Sequence, residues 1–256
     1  MAHARAKQRN QPAEGTPSGA PIVSKLPVAI GGTAVLSVVL LWVRPELDLL
    51  VSSAFYRVGE GFLGDYHPLV QAIHRSVPLI SRAAIIALFI ALFAYTMQHG
   101  DAGRRRRCQV GYLIATMALG PGLLIDVVLK DNWGRARPSK IVEFGGDRAF
   151  SAPLRPANQC DDNCSSASGH AAVGYYLVSL GFLGGAAARR RWTLIGFVAG
   201  TLLGLARVSQ GGHFFSDILF SFYATWFAAW AVWLLFRRFG WLADEREQDP
   251  AGHATT

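Results

Sequence analysis

The chain has 256 residues, of which 51% are apolar and only 16% charged, against about 25% charged in an ordinary soluble domain. Seven Trp, fifteen Phe and just three Cys exclude a disordered chain, a disulfide-stapled mini-protein and a coiled coil. The formal net charge of +8 suits nucleic acid or an anionic membrane as partner, and the placing of the charges decides between them.

Residues 1–25 read as a polar, disordered tail without the pattern of a secretory signal. Six apolar stretches then run between charge clusters: 26–43, 83–100 (reaching back through Pro78), 109–125 (continuing to Lys130), 171–188, 192–206 and 218–236. A helix crossing a bilayer takes roughly 20 mostly apolar residues, so six of them use about 120. Trp42, Tyr95, Trp192 and Trp233 stand near span ends, where aromatic side chains settle at membrane interfaces. Residues 241–256 read as a second cytoplasmic tail. The expected fold is therefore all-α: a polytopic membrane protein with six transmembrane helices in one domain, 26–240.

An even number of spans puts both termini on one side. That side collects Arg5, Lys7, Arg9 and Lys25, then 104–107, then 189–191, then Arg237 and Arg238. Short basic loops belong in the cytoplasm. The charge is thus an orientation signal, and nucleic acid is not the expected partner. Two long segments, 44–76 and 131–169, and a tight turn near 208–212 fall on the opposite, non-cytoplasmic side.

Span ends on that opposite side carry an unusual set of residues. Lys130 closes the third span and is followed by Asn132, Arg135, Arg137 and Pro138; Ser168, Gly169 and His170 open the fourth; Arg207 closes the fifth; His213 and Asp217 open the sixth. Any one of these alone is ordinary, since Lys and Arg near span ends snorkel to the interface. Four cations and two histidines on one face instead converge on an anion. Helix amino ends at that face add partial positive charge and free N–H groups, and Gly169 lets a phosphate approach the backbone. His213 and Asp217 are four residues apart and share a helix face, so the carboxylate can fix the imidazole tautomer and leave a lone pair for attack. Asp126 and Lys130 have the same spacing, and there a plain helix-end ion pair is an equal reading.

Three motifs follow from these positions: Lys130-x6-Arg137-Pro138, Ser168-Gly169-His170, and Arg207-x5-His213-x3-Asp217. In order and spacing the chain resembles the type 2 phosphatidic acid phosphatase (PAP2) superfamily of integral-membrane lipid phosphatases, over roughly residues 26–240. Ala167 and Ala206 replace the Pro and Ser usual in the second and third motifs. The resemblance implies a PAP2/haloperoxidase-like helical bundle. It also implies His213 as the nucleophile forming a phosphohistidine, Asp217 orienting it, and His170 as general acid and base. Lys130, Arg137, Ser168, Gly169 and Arg207 would bind the phosphoryl oxygens. No metal or other cofactor is called for.

The implied partner is a phosphorylated membrane lipid met at the periplasmic face of a bacterial inner membrane. Phe144-Gly-Gly, 150–153 and Cys160-Asp-Asp-Asn-Cys164-Ser look most similar to lipid A 1-phosphatase-type members, which makes lipid A 1-phosphate the expected substrate. Undecaprenyl diphosphate, phosphatidylglycerol phosphate and a lipid phosphotransferase reaction are the alternatives. A vanadium-dependent haloperoxidase shares the pocket, but those enzymes are soluble. A lipid-phosphate transporter is the non-enzyme alternative; it asks for matching breaks in two halves, and Gly120-Pro121-Gly122 has no counterpart. Arg135, Lys140, Arg148 and Arg155 read as further charge for a large anionic headgroup or as a solvated loop. Cys160 and Cys164 lie on the oxidising side, as a disulfide or as two thiols, while Cys108 is an expected cytoplasmic thiol.

Overall fold

A computed structural model describes residues 25–130 and 132–242. The two expected tails lie outside the described residues except for Lys25, Trp241 and Leu242. The described chain is helical, with one two-stranded ribbon: α1 (Lys25–Val43), α2 (Leu47–Ser53), β1 (Tyr56–Arg57), β2 (Gly61–Phe62), α3 (Pro68–Thr96), α4 (Gly100–Met117), α5 (Gly169–Tyr175), α6 (Val178–Gly181), α7 (Ala186–Ser209) and α8 (Phe215–Arg238). The antiparallel strands pair Tyr56 with Phe62. Five helices, counting α4 with its continuation to Lys130, are long and apolar enough to cross a membrane.

Three differences from the expected spans have physical causes. First, α3 starts at Pro68, ten residues before Pro78. Proline at a first turn lacks only an N–H that no helix would use, so it starts a helix well. The first turns of α3 carry Gln71, His74 and Arg75, and a search for uncharged runs passes over them. Second, α4 continues from Ala118 to Lys130 as a π-helix. Pro121 lacks the donor an α-turn needs, and the wider turn accommodates it. Gly120 there lies against α8, where a Cβ would stand 3.3 Å from Ala228 Cβ.

Third, the expected fourth span is a broken helix, α5 then α6. This segment packs along α7 through glycines. Gly174 meets Gly200, where an added Cβ would be 2.5 Å from the Gly200 backbone; Gly196 meets Val178; Gly181 meets Arg189. These pairs run in opposite directions along the two segments, so α5–α6 and α7 are antiparallel. Small residues let helices approach to backbone contact, which is how helices associate in lipid without a hydrophobic driving force. Irregular backbone is tolerated at such depth when protein surrounds it, and Ala171, Tyr175, Val178 and Phe182 are all fully buried.

The core lies between α5–α6, α7 and α8, with Tyr112 of α4, around Trp226 and Phe222. Helices α1 and α3 expose apolar side chains such as Leu36, Ile86 and Phe93 on the outside, the pattern of a lipid-facing surface. Arg189, expected in a short basic cytoplasmic loop, is buried with its guanidinium 4.6 Å from the Trp233 ring centroid.

Candidate active site

The third motif begins where α7 ends. Gly211 has φ +61, a conformation glycine adopts at little cost, and turns the chain so that Gly212 N donates to Arg207 O at 2.9 Å. Gly212 lies against the Arg207 guanidinium; a Cβ there would stand 2.4 Å from Nη2. His213 follows in the turn, and Asp217 occupies the first turn of α8, accepting the Phe214 N–H at 2.8 Å. That contact satisfies a free donor of the helix start.

Asp217 is fully engaged. Its Oδ2 also accepts from Ser165 Oγ, and its Oδ1 accepts from Arg135 Nη1 at 2.8 Å. His213 Nδ1 lies 3.1 Å from the Ser165 carbonyl and 3.8 Å from Asp217 Oδ2. The direct partner of the imidazole is therefore the Ser165 carbonyl, with the carboxylate behind it. A carbonyl only accepts, so Nδ1 carries the proton and Nε2 keeps a lone pair. Burial pushes the His213 imidazole below the usual histidine range, which keeps the ring neutral.

Arg135 corrects the sequence expectation. In place of the expected headgroup or loop charge, it is fully buried, with Nη2 donating to Asp48 Oδ2 at 2.7 Å and Nη1 to Ser216 Oγ at 2.9 Å. Asp48 of α2 in turn accepts from the Ser216 N–H at 2.8 Å. A planar guanidinium thus joins two buried carboxylates and the start of α8. Nothing in the spacing of Asp48 announced this contact.

The second motif opens α5. The Ser168 hydroxyl accepts from Ala171 N at 3.4 Å as a helix cap, and Ser168 N donates to Ser221 Oγ at 2.9 Å. Gly169 and His170 follow. The His170 Nε2 lies 3.1 Å from the backbone carbonyl of His74, and the two rings stack with centroids 4.9 Å apart.

Arg207 completes the arrangement. Its Nη1 donates to His74 Nδ1 at 2.8 Å and also to Gln210 Oε1. Both Nη1 hydrogens are thereby used. Nε is buried and has no hydrogen-bond partner among the described residues. The Nε–Nη2 edge, which carries two parallel donors, is thus left without a hydrogen-bond partner among the described residues. Charge from Arg207 acts on both His170 and His213, and His213 acts on His170, so the two imidazoles and this fork share one neighbourhood.

The first motif arrives differently. Arg137 spends Nε and Nη2 on the Asn163 carbonyl, at 3.0 and 2.7 Å. That carbonyl lies between Cys160 and Cys164, which a disulfide joins. Lys130 pairs with Asp126 at 3.7 Å, the plain ion pair that was one of two equal readings, and the same lysine lines a cavity beside Gly169 and His170. The cavity has a volume of about 580 Å³ and extends from Lys130 and His170 between α3 and α4, along Val77, Ile85, Leu88, Ile114 and Met117. Among the described residues no three His, Cys, Asp or Glu side chains cluster as a metal site.

A family model described as the PAP2 superfamily matches residues 109–241. A protein of Francisella tularensis subsp. novicida (strain U112) named lipid A 4′-phosphatase is 33% identical over 207 residues, covering 76% of this chain and 88% of that protein. Two further proteins of that name match as well. The one from Rhizobium etli is 34% identical over 59% of this chain and 58% of its own length. The one from Rhizobium leguminosarum is 31% identical over 59% of this chain and 64% of its own. No solved structure matches significantly.

Proposed function

The chain belongs to the PAP2 superfamily and is a phosphoric ester hydrolase; from that membership we propose that it removes a phosphate monoester from lipid A at the periplasmic face of a bacterial inner membrane. For the position of the ester we take the 4′-phosphate, the position in the relatives' names, in place of the 1-phosphate expected from the sequence. The observation that carries the reading is the apolar cavity that opens at Lys130 and His170. A ligand reaching those groups through it needs an anionic head and a hydrocarbon body, which is a lipid phosphate.

In the proposed reaction, His213 Nε2 attacks phosphorus in line with the leaving oxygen. A P–N bond forms as the P–O bond to the sugar breaks, and His170 supplies the proton that the departing oxygen takes up. Water then attacks the phosphohistidine, its proton passing to His170, and phosphate leaves. Transfer of this kind is mainly a matter of positioning and charge. Arg207 holds two equatorial oxygens on its open fork, Lys130 and Arg137 add positive charge, and Ser168 and the Gly169 N–H complete the cradle. Asp217 acts on His213 through Ser165 and as the charge behind Nδ1.

The test uses purified protein in detergent with lipid A carrying both phosphates. We expect free phosphate and a lipid that keeps its 1-phosphate, with no release and no phosphoenzyme for His213→Ala. Hydrolysis of undecaprenyl diphosphate or phosphatidylglycerol phosphate with lipid A left untouched would overturn the substrate. Appearance of a phosphorylated acceptor lipid in place of free phosphate would overturn hydrolysis.

A further inference from the structure

The cluster built on α3 has no place in the three motifs, and it determines how Arg207 can act. We propose that His74 is a positioning residue for phosphoryl transfer: its Nδ1 lone pair, together with Gln210, pins one guanidinium nitrogen of Arg207 so that the Nε–Nη2 edge faces the phosphate. The proposal rests on the phosphatase reading above and adds a residue to it.

The hydrogen count carries the argument. Arginine has donors only, so the 2.8 Å contact from Arg207 Nη1 makes His74 Nδ1 an acceptor. His74 is therefore held neutral with its proton on Nε2. Nη1 has two hydrogens, and Gln210 Oε1 takes the other. The guanidinium is planar, so fixing both hydrogens of Nη1 fixes its rotation. The opposite edge is left with Nε buried and unpartnered among the described residues, beside Gly212, whose missing side chain leaves room at Nη2. A polar group buried in this way is expensive unless something arrives to accept from it.

The same residue reaches the second imidazole. His170 stacks on the His74 ring at an interplanar angle of 14°, and its Nε2 meets the His74 carbonyl at 3.1 Å. One turn of α3 thus sets the place of the phosphate-holding cation and of the proton donor together. The charges that face His74 from the elements around it are Arg207, Arg137, Arg75 and Asp65.

Two substitutions separate the acceptor from the ring. His74→Phe keeps a flat ring against His170 and removes Nδ1; His74→Asn keeps an acceptor near the Nδ1 position and removes the ring. With lipid A as substrate we expect kcat to fall about tenfold to a hundredfold in His74→Phe, part of what a whole oxyanion donor contributes. The inhibition constant for orthovanadate should rise about tenfold in the same variant. His74→Asn should stay within about fivefold of the parent on both measures. Equal losses in the two variants, or parental values in His74→Phe, would overturn the proposal. The unsubstituted protein supplies an independent readout that does not depend on either variant folding. With 15N-labelled histidine, His74 should show an unprotonated Nδ1 and a protonated Nε2, and a protonated Nδ1 would overturn the proposal by itself. Failure of the parent protein to release phosphate from lipid A would instead sink the substrate reading, leaving the His74 tautomer and the vanadate comparison to stand or fall on their own.

Discussion

At the scale of single residues, the chemistry depends on which nitrogen of each group is left unused. Arg207 has one nitrogen committed to His74 and Gln210 and an open two-donor edge. Lysine keeps the charge but not the fork, so Arg207→Lys should lower kcat/KM about 10²- to 10³-fold, measured as initial rates of phosphate release; a loss under threefold would remove the fork from the mechanism. His213 yields a prediction about pH. In the proposed reaction its imidazole must be unprotonated to attack, and burial lowers its pKa below the ordinary value of about 6.5. A lowered pKa keeps the neutral form at more acidic pH, so the acid limb of kcat/KM should lie below pH ~6.5. A profile from pH 4 to 8 with its acid limb above pH 7 would contradict the buried, neutral ring. The sequence singles out both groups, because attack on phosphate would demand particular side chains at spacings a helix start can present. His74 and Arg135 were not legible in these roles. Their partners lie 133 positions away for His74 with Arg207 and 87 for Arg135 with Asp48, distances over which no local spacing carries information.

The elements show a division between what lipid demands and what packing demands. Long apolar runs announced α1, α7 and α8, since a lipid-exposed helix has to be apolar along its length. The segment carrying His170 is different: it is enclosed by α7 and α8, and its shape is set by close contact. Gly196, Gly200 and Gly204 repeat every fourth residue on α7 and form the surface on which Tyr175, Val178 and Ile218 lie. A Cβ at Gly200 would stand 2.2 Å from the Tyr175 ring. Gly200→Ala should therefore overpack the core and destabilise by about 1–3 kcal/mol, seen as a lower Tm in detergent with loss of activity as α5 shifts. Gly31 on α1 has nothing within 4 Å, and Gly31→Ala should leave Tm unchanged or raise it, because alanine favours a helix over glycine by about 1 kcal/mol. Equal effects at the two positions would mean that the glycine row is not a packing surface. The break between α5 and α6 was illegible for the same reason, since composition reports apolarity and says nothing about whether a neighbour has room for a straight helix.

For the whole molecule, the direction of the bundle depends on the path of α5–α6. Lys130, His170, Arg207 and His213 belong to one end of the bundle, so α4 arrives there and α8 departs from it. The chain must also return from His170 to the start of α7, whose 24 residues rise about 36 Å at 1.5 Å per residue. The antiparallel glycine contacts follow that return, from Gly174 beside Gly200 to Gly184 beside Ala188. We propose that this broken segment crosses as well, beside the five helices long and apolar enough to do so, which makes the number of passages even. Both ends of the described chain then lie on the side of Arg104, Arg190 and Arg238, opposite the 140–165 loop and its disulfide. Under that count, basic short loops facing the cytoplasm would put the proposed active site in the periplasm, where lipid phosphate headgroups of the outer leaflet are accessible. Single cysteines in a background with Cys108, Cys160 and Cys164 replaced by serine test this directly, provided each protein still turns over lipid A. In intact spheroplasts, a membrane-impermeant maleimide should label a cysteine at Asp147 and spare one at Arg190 or Arg238. Labelling at Asp147 together with both Arg190 and Arg238 would mean an odd number of passages, and the broken helix would then end inside the bundle instead of crossing it.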